Sequence, residues 1–448
     1  MSRLTERMIL SAALGFALAA HAGAQVLTER VTPYLVRSDP QEWVLTTTVS
    51  LYANHLAPGQ DGPLIEAQEF KIEQATIFFP MPLRSASHDR ERNSISASLL
   101  FVGREVPMQK GFIDTDSARN PIHSGEVYST WLFKDVKANL NMIFKIESRV
   151  TCWNTEFDES LAMKVPWPTG TWPKEAASTF EPELFINEDF EGAYETDSVA
   201  RLAERLTKGK VKNQPPMVAA KWLAGEIARS FQPSKYVSIS DARPATARQS
   251  GQSVGATSAY EVIGAEEAAR RGKGTEFDMA LLLVAVYREV GLPARLVFGH
   301  ATGGNLAENS PFRGSDKAEP GPYAWVEVAL YDESQARPDQ QLTWVPVDIV
   351  RIREERSFGR KLDQPWPGFG TSDNLNEIVP VAFHMHPHRV GASSYGGSQR
   401  DRLPRPSIWG WNVVPETPQG IEQVISFSAT SPSRGPGDPP PGKRDPNR

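Results

Sequence analysis

Apolar positions in the first third of the chain follow the period of extended strands. Val44 to Leu51 (VLTTTVSL) is rich in β-branched residues, and so is Ala75 to Phe79 (ATIFF). Ser94 to Phe101 (SISASLLF) opens on alternation of polar and apolar residues, and Met142 to Val150 (MIFKIESRV) does the same. Alternation sends successive side chains to opposite faces, so one face of each run can be buried while the other stays wet. Turn-forming stretches such as Pro58 to Pro63 (PGQDGP) separate the runs. Several short strands at this spacing predict an antiparallel β-sandwich. The Trp/Pro-rich stretch from Val165 to Pro173 reads as a semi-rigid connector leaving it.

The period then lengthens. Val199, Leu202, Ala203 and Leu206 fall at i, i+3, i+4 and i+7, with Thr196 and Asp197 available as caps and Gly209 beyond the end. A second helix follows Pro215-Pro216, with Trp222, Ile227 and Phe231 among its apolar residues. A third, Phe277 to Val290, is the most apolar and is closed by Gly291 and Pro293. Strand-like runs come next: Arg295–Phe298, Ala324–Leu330 and Thr343–Val350. Helices followed by strands predict an α+β domain. Residues 353–430 contain loops, the pair Trp409 and Trp411, and one alternating run, Ile421–Phe427. The tail, 431–448, is Pro/Gly/charge-rich and predicted to be disordered. The expected organisation is therefore a β-sandwich over 25–190, an α+β domain over 191–352, an extension over 353–430 and the tail. No internal repeat is visible.

The first 24 residues fit an export signal. Arg3 and Arg7 precede a short apolar run, Met8–Ala20, and small residues follow around Ala22 and Ala24. The run is shorter than the ~20 residues needed to span a bilayer. No later segment is long and apolar enough to cross a membrane. These features predict a periplasmic or secreted protein. The chain's net charge is −6. A nucleic-acid binder is expected to carry a basic excess, and that class is set aside. The one cysteine, Cys152, excludes an internal disulfide and any zinc site built on several thiolates.

Three separated segments carry the candidate chemistry. The first is Gly274-Thr275-Glu276-Phe277-Asp278-Met279-Ala280, continuing to Arg288 and Gly291-Leu292-Pro293-Ala294-Arg295. The second is Tyr323-Ala324-Trp325-Val326-Glu327-Val328, and the third is Trp344-Val345-Pro346-Val347-Asp348. In order and spacing they resemble the transglutaminase-like family, a branch of the papain-like fold. In that family a cysteine at the helix start, a histidine before Ala-Trp-Val-Glu-Val and an aspartate form the catalytic triad. The resemblance implies an N-terminal β-sandwich followed by a papain-like α+β domain, firm over about 195–352. The logic of such a triad is that helix dipole and imidazolium stabilise a thiolate, while the aspartate orients the base.

Here the resemblance places Glu276 at the cysteine position and Tyr323 at the histidine position, with only Asp348 retained. A one-residue slip would make Thr275 the nucleophile, but no base stands beside it. The expected function is an exported, catalytically degenerate protein that binds or scaffolds a peptide-like, protein or cell-envelope partner. The alternative is an amidase or hydrolase of unconventional mechanism using Glu276, Tyr323 and Asp348, in which Glu276 is the general acid/base and Tyr323 its proton partner. A third possibility is that the β-sandwich is the functional module and the second domain its scaffold.

Secondary candidates for lining the cleft are Trp325, His300 and Glu327. Each also has a plainer reading: core packing for Trp325, a satisfied buried imidazole for His300, an interior carboxylate for Glu327. His384, His386 and His388 alternate, as metal ligands on a strand would, but Pro387 interrupts the run and no carboxylate adjoins it. No metal and no cofactor is expected.

Overall fold

The computed structural model describes residues 28–53, 70–101, 103–113, 126–138, 141–183, 185–187, 197–234, 262–302, 321–383, 386–387, 406–414 and 421–432. The expected export signal, Thr196, and His384 and His388 lie outside the described residues, as does the tail beyond 432.

The N-terminal half supplies β1 (Thr28–Arg30), β2 (Leu35–Ala53), β3 (Phe70–Pro82), β4 (His88–Arg90), β5 (Ser96–Phe101), β6 (Arg104–Glu105), β7 (Gln109–Ile113), β8 (Glu126–Ala138) and β9 (Asn141–Phe157). Every pairing among them is antiparallel. One sheet is built on the long β2–β9 pair, which β5 and β6 continue; the other has β3 and β8 at its centre. Their inner faces share one core, with Trp131 of one sheet in edge contact with Phe144 of the other at 6.4 Å. The expected sandwich is present. In β2 the chain must pass Asp39-Pro40, where proline cannot donate to the ladder. The register shifts there between Ser38 and Gln41, and Asp39 takes a φ of 50°.

The second half begins with short helices α1 (Glu159–Ala162) and α2 (Lys174–Ala177), followed by α3 (Ser198–Thr207), α4 (Pro216–Ser230), α5 (Ala265–Arg271) and α6 (Glu276–Glu289). Helix α6 is buried from Glu276 through Arg288. An all-round apolar sequence such as MALLLVAV demands this, because no face of it gains from water. It packs against α4, α5 and an antiparallel sheet made of β12 (Ala294–Ala301), β13 (Gly321–Tyr331), β14 (Leu342–Val347) and β15 (Ile378–Ala382). Two-residue strands β10 (Gln232–Pro233) and β11 (Lys273–Gly274) pair beside the start of α6. The sheet order is β14-β13-β12-β15.

Two differences from the sequence expectation have local physical causes. The strand expected over Thr343–Val350 stops at Val347, after α7 (Pro338–Gln341) and β14, and Ile349 opens α8 (Ile349–Glu354). Asp348 accepts the Arg351 N–H at 3.0 Å through Oδ1, so an N-cap overrides the β-branched Ile-Val pair. The described parts of the extension, 353–430, add strands to sheets begun earlier in the chain. They contribute β15 to the second sheet, β18 (Gly410–Val414) to the edge of β3, and β19 (Ile421–Thr430) along β2. A further short pair, β16 (His386–Pro387) with β17 (Pro406–Ser407), lies between them. The end of the chain thus completes both sheets of the sandwich that its beginning started.

Candidate functional site

The start of α6 is organised by Asp278. Its Oδ2 accepts the Thr275 N–H at 2.8 Å and the Thr275 hydroxyl at 2.9 Å, while its own N–H donates to Thr275 Oγ1 at 3.3 Å. This capping box satisfies donors that the first helical turn otherwise leaves open. Oδ1 accepts the N–H groups of Ile263 and Gly264 at 2.8 and 3.3 Å, tying the loop before α5 to the helix start. The carboxylate needs the space over Gly274. A Cβ at 274 would sit 2.6 Å from that of Asp278, so the two residues require one another. Burial pushes the Asp278 carboxyl up, against the opposing pull of its hydrogen bonds, to about 6. The sequence offered Thr275 no base. The structure supplies a carboxylate, but one already engaged by the Thr275 hydroxyl and three backbone N–H groups.

Glu276 is the first residue of α6 and is 2% exposed. Tyr323, near the start of β13, donates its hydroxyl to Asp348 Oδ2 at 2.6 Å, and both residues are buried. Since Asp348 Oδ1 caps α8, both carboxylate oxygens are committed. The second and third motif segments are therefore brought together by a direct hydrogen bond. The first abuts them, because α6 packs against both β13 and α8.

Glu327 does not line a cleft. It is wholly buried, and its Oε2 accepts Nε and Nη2 of Arg295 at 2.9 and 2.7 Å. Its Oε1 accepts the Ala86 N–H at 2.9 Å, from the segment joining β3 to β4. The Arg295 guanidinium lies between the rings of Trp344 and Phe383, 4.0 and 3.9 Å from their centroids. Glu175 accepts the Trp344 indole N–H at 2.9 Å and stands 3.9 Å from Arg295. Arg295 and Glu327 face each other directly in the β12–β13 register. Burying the pair is tolerable only because every strong polar group in it has a partner. Arg295 is the residue whose weight the sequence did not announce, although its place in the Gly-Leu-Pro-Ala-Arg run was visible.

Trp325 is fully buried in a small cluster with Val297, Ala301, Tyr323, Leu375, Ile378 and Phe383. Its ring lies over Gly299, where a Cβ would approach Trp325 Cζ3 to 3.0 Å and Ile378 Cγ2 to 2.9 Å. It is an interior packing residue rather than an open floor. His300, which alternates with Val297 and Ala301 of that cluster along β12, faces the opposite side of the sheet and lies against Phe427 of β19, with ring centroids 5.8 Å apart. Burial lowers its imidazole to about 4, so it is neutral at physiological pH. Cys152 sits in β9 of the sandwich, completely buried, and burial raises its thiol well above the usual range. Among the described residues no group of three His, Cys, Asp or Glu side chains is placed to hold a metal ion.

The site is thus a buried helix whose N-terminus abuts an antiparallel sheet, with a hydrogen-bonded Tyr–Asp pair bridging strand and helix cap. The sequence model of the transglutaminase-like superfamily matches residues 202–349, from α3 to the first residue of α8, and the chain carries such a domain over that span. A search of curated proteins finds no match. Among solved structures, one similar chain is a candidate cysteine protease from Cytophaga hutchinsonii, at 12% identity and a TM-score of 0.46 over 92% of this chain and 96% of that one. Another is a candidate protease from Parabacteroides distasonis, at 11% identity and a TM-score of 0.21 over 69% of this chain and 63% of that one.

Proposed function

We propose that this is an exported, periplasmic or secreted protein whose transglutaminase-like domain is catalytically degenerate and serves to bind or scaffold a peptide-like or cell-envelope partner. The observation that carries the reading is the state of Asp348. One oxygen caps α8 and the other holds the Tyr323 hydroxyl, at the strand position where the family has its histidine. A phenol lacks the second ring nitrogen by which an imidazole accepts one proton and donates another near neutral pH. Glu276, which the resemblance places at the thiol position, is a carboxylate and a poor nucleophile toward amides.

The test is turnover and binding measured together. Purified mature protein is incubated with fluorescent casein for hydrolysis, and with a glutaminyl peptide plus a labelled amine for transamidation. The expected result is no turnover above a heat-denatured control, and binding to purified peptidoglycan sacculi in a sedimentation assay. Turnover that vanishes in both Glu276→Gln and Tyr323→Phe would overturn the reading. It would favour instead an amidase or hydrolase working through Glu276, Tyr323 and Asp348.

A further inference from the structure

We infer that the indole N–H of Trp325 is a recognition donor of the site that Tyr323 and Asp348 form, and that it binds a neutral carbonyl oxygen of a peptide-like partner. The inference rests on the peptide-binding reading of that site. Other buried indoles in the protein find acceptors within the chain. Trp43 donates to Asn376 O at 2.8 Å and Trp131 to Ser129 Oγ at 3.3 Å, while Trp344 donates to Glu175 at 2.9 Å and Trp366 to Lys361 O at 3.0 Å. Trp325 is buried more completely than any of these, yet its Nε1 has no hydrogen-bond partner among the described residues. Trp153 is the other exception, on a partly exposed side chain of β9. Leaving a buried donor unpaired is costly, so Trp325 calls for an acceptor that the chain does not supply.

Packing accounts for the ring but not for its N–H. The corner of the indole that lies over Gly299 is Cζ3, 3.0 Å from where a Cβ would stand. Nε1 is the diagonally opposite corner, so the N–H is turned away from β12. The strand on the other side of β13 is β14, where Val347 pairs with Val326. The next position in that register sets Asp348 opposite Trp325. Tyr323 projects from the same face of β13 as Trp325, and its hydroxyl is held by Asp348. An indole N–H only donates, so its partner is an acceptor. The surroundings are Val297, Ala301, Leu375, Ile378 and Phe383, among which an anion is far more costly to bury than a neutral carbonyl. A peptide carbonyl fits there and a carboxylate does not. These residues form a small cluster apart from the main core, so admitting a ligand leaves the main core intact. Gly321 and Pro322, just ahead of Tyr323, are partly exposed and mark the end of β13 nearest solvent.

The experiment follows the N–H itself, by nuclear magnetic resonance of the mature chain isotopically labelled at its indole nitrogens. N-methylacetamide serves as the smallest peptide carbonyl, and the Trp325 signal is assigned by its absence from Trp325→Phe. The expected result is a saturable downfield shift of that signal, at concentrations that leave the Trp43 and Trp344 signals in place. Sodium acetate at the same concentrations should leave it unmoved. Benzothienylalanine at position 325 keeps the ring and puts sulfur in place of the N–H. That variant should melt with the parent, show no response to N-methylacetamide, and bind sacculi about tenfold more weakly. A signal that N-methylacetamide does not move, or that acetate moves equally, would overturn the inference. So would a benzothienyl variant melting well below the parent, since the N–H would then already be bonded within the chain or to a buried water. A parent that shows the shift but binds no sacculi would remove the sacculus as partner and leave the inference standing.

Discussion

Removing either member of the Arg295–Glu327 pair should be among the most damaging single changes in the molecule. In Glu327→Gln a neutral amide replaces the carboxylate that takes two guanidinium hydrogen bonds, although an acceptor for the Ala86 N–H remains. The guanidinium is then buried between Trp344 and Phe383, with Glu175 3.9 Å away. Breaking a buried pair from one side costs about 3–5 kcal/mol, because the surviving charge is left uncompensated. The two ring contacts are untouched by the substitution and so do not enter the difference. Arg295→Met should cost a similar amount, since it strands the carboxylate with the Ala86 N–H as its remaining donor. The double variant buries no charge, so its loss should fall well short of the sum of the singles, with a coupling of about 2 kcal/mol or more. Urea unfolding followed by tryptophan fluorescence and far-ultraviolet circular dichroism measures all four corners of the cycle. If Glu327→Gln costs under about 1 kcal/mol, or if the two singles simply add, the pair is not the lock described above.

Two smaller predictions concern the same half of the molecule. His300 titrates at about 4 in the folded chain against 6.5 when unfolded, so the unfolded state binds the extra proton between those values. Its contribution is fully present above pH 6.5 and is lost as pH falls through 4, amounting to about 3 kcal/mol. His300→Gln should flatten that part of the stability–pH curve, and an unchanged curve would mean the imidazole is not desolvated as the structure has it. Gly274→Ala should lower stability by about 1–3 kcal/mol, because the new methyl strikes Asp278 and the capping box must shift. A melting temperature equal to the parent's would show that the helix start has slack that the geometry denies.

The local chemistry of the chain was legible without a structure. Alternation in Met142–Val150 and the all-round apolar character of Met279–Val286 each carry the signature of one periodicity, and β9 and α6 follow them closely. The three motif segments are recognisable in order. What those residues do was decided elsewhere. Glu327 looks like a second cleft carboxylate until Ala86, 241 positions away, and Arg295 enclose it. The strand expected through Val350 ends at Val347 because Asp348 turns to cap α8 while its other oxygen takes the Tyr323 hydroxyl. The run Ile421–Phe427 reads as an isolated strand, but lies along β2 with Phe427 against His300. Periodicity and capping depend on neighbours a few residues apart, so the sequence alone determines them. Desolvation, the partner of a buried charge and the closing of a sheet edge depend on groups 32 residues apart, as in Arg295 and Glu327, or 241, as in Ala86 and Glu327, and only the folded chain brings those together.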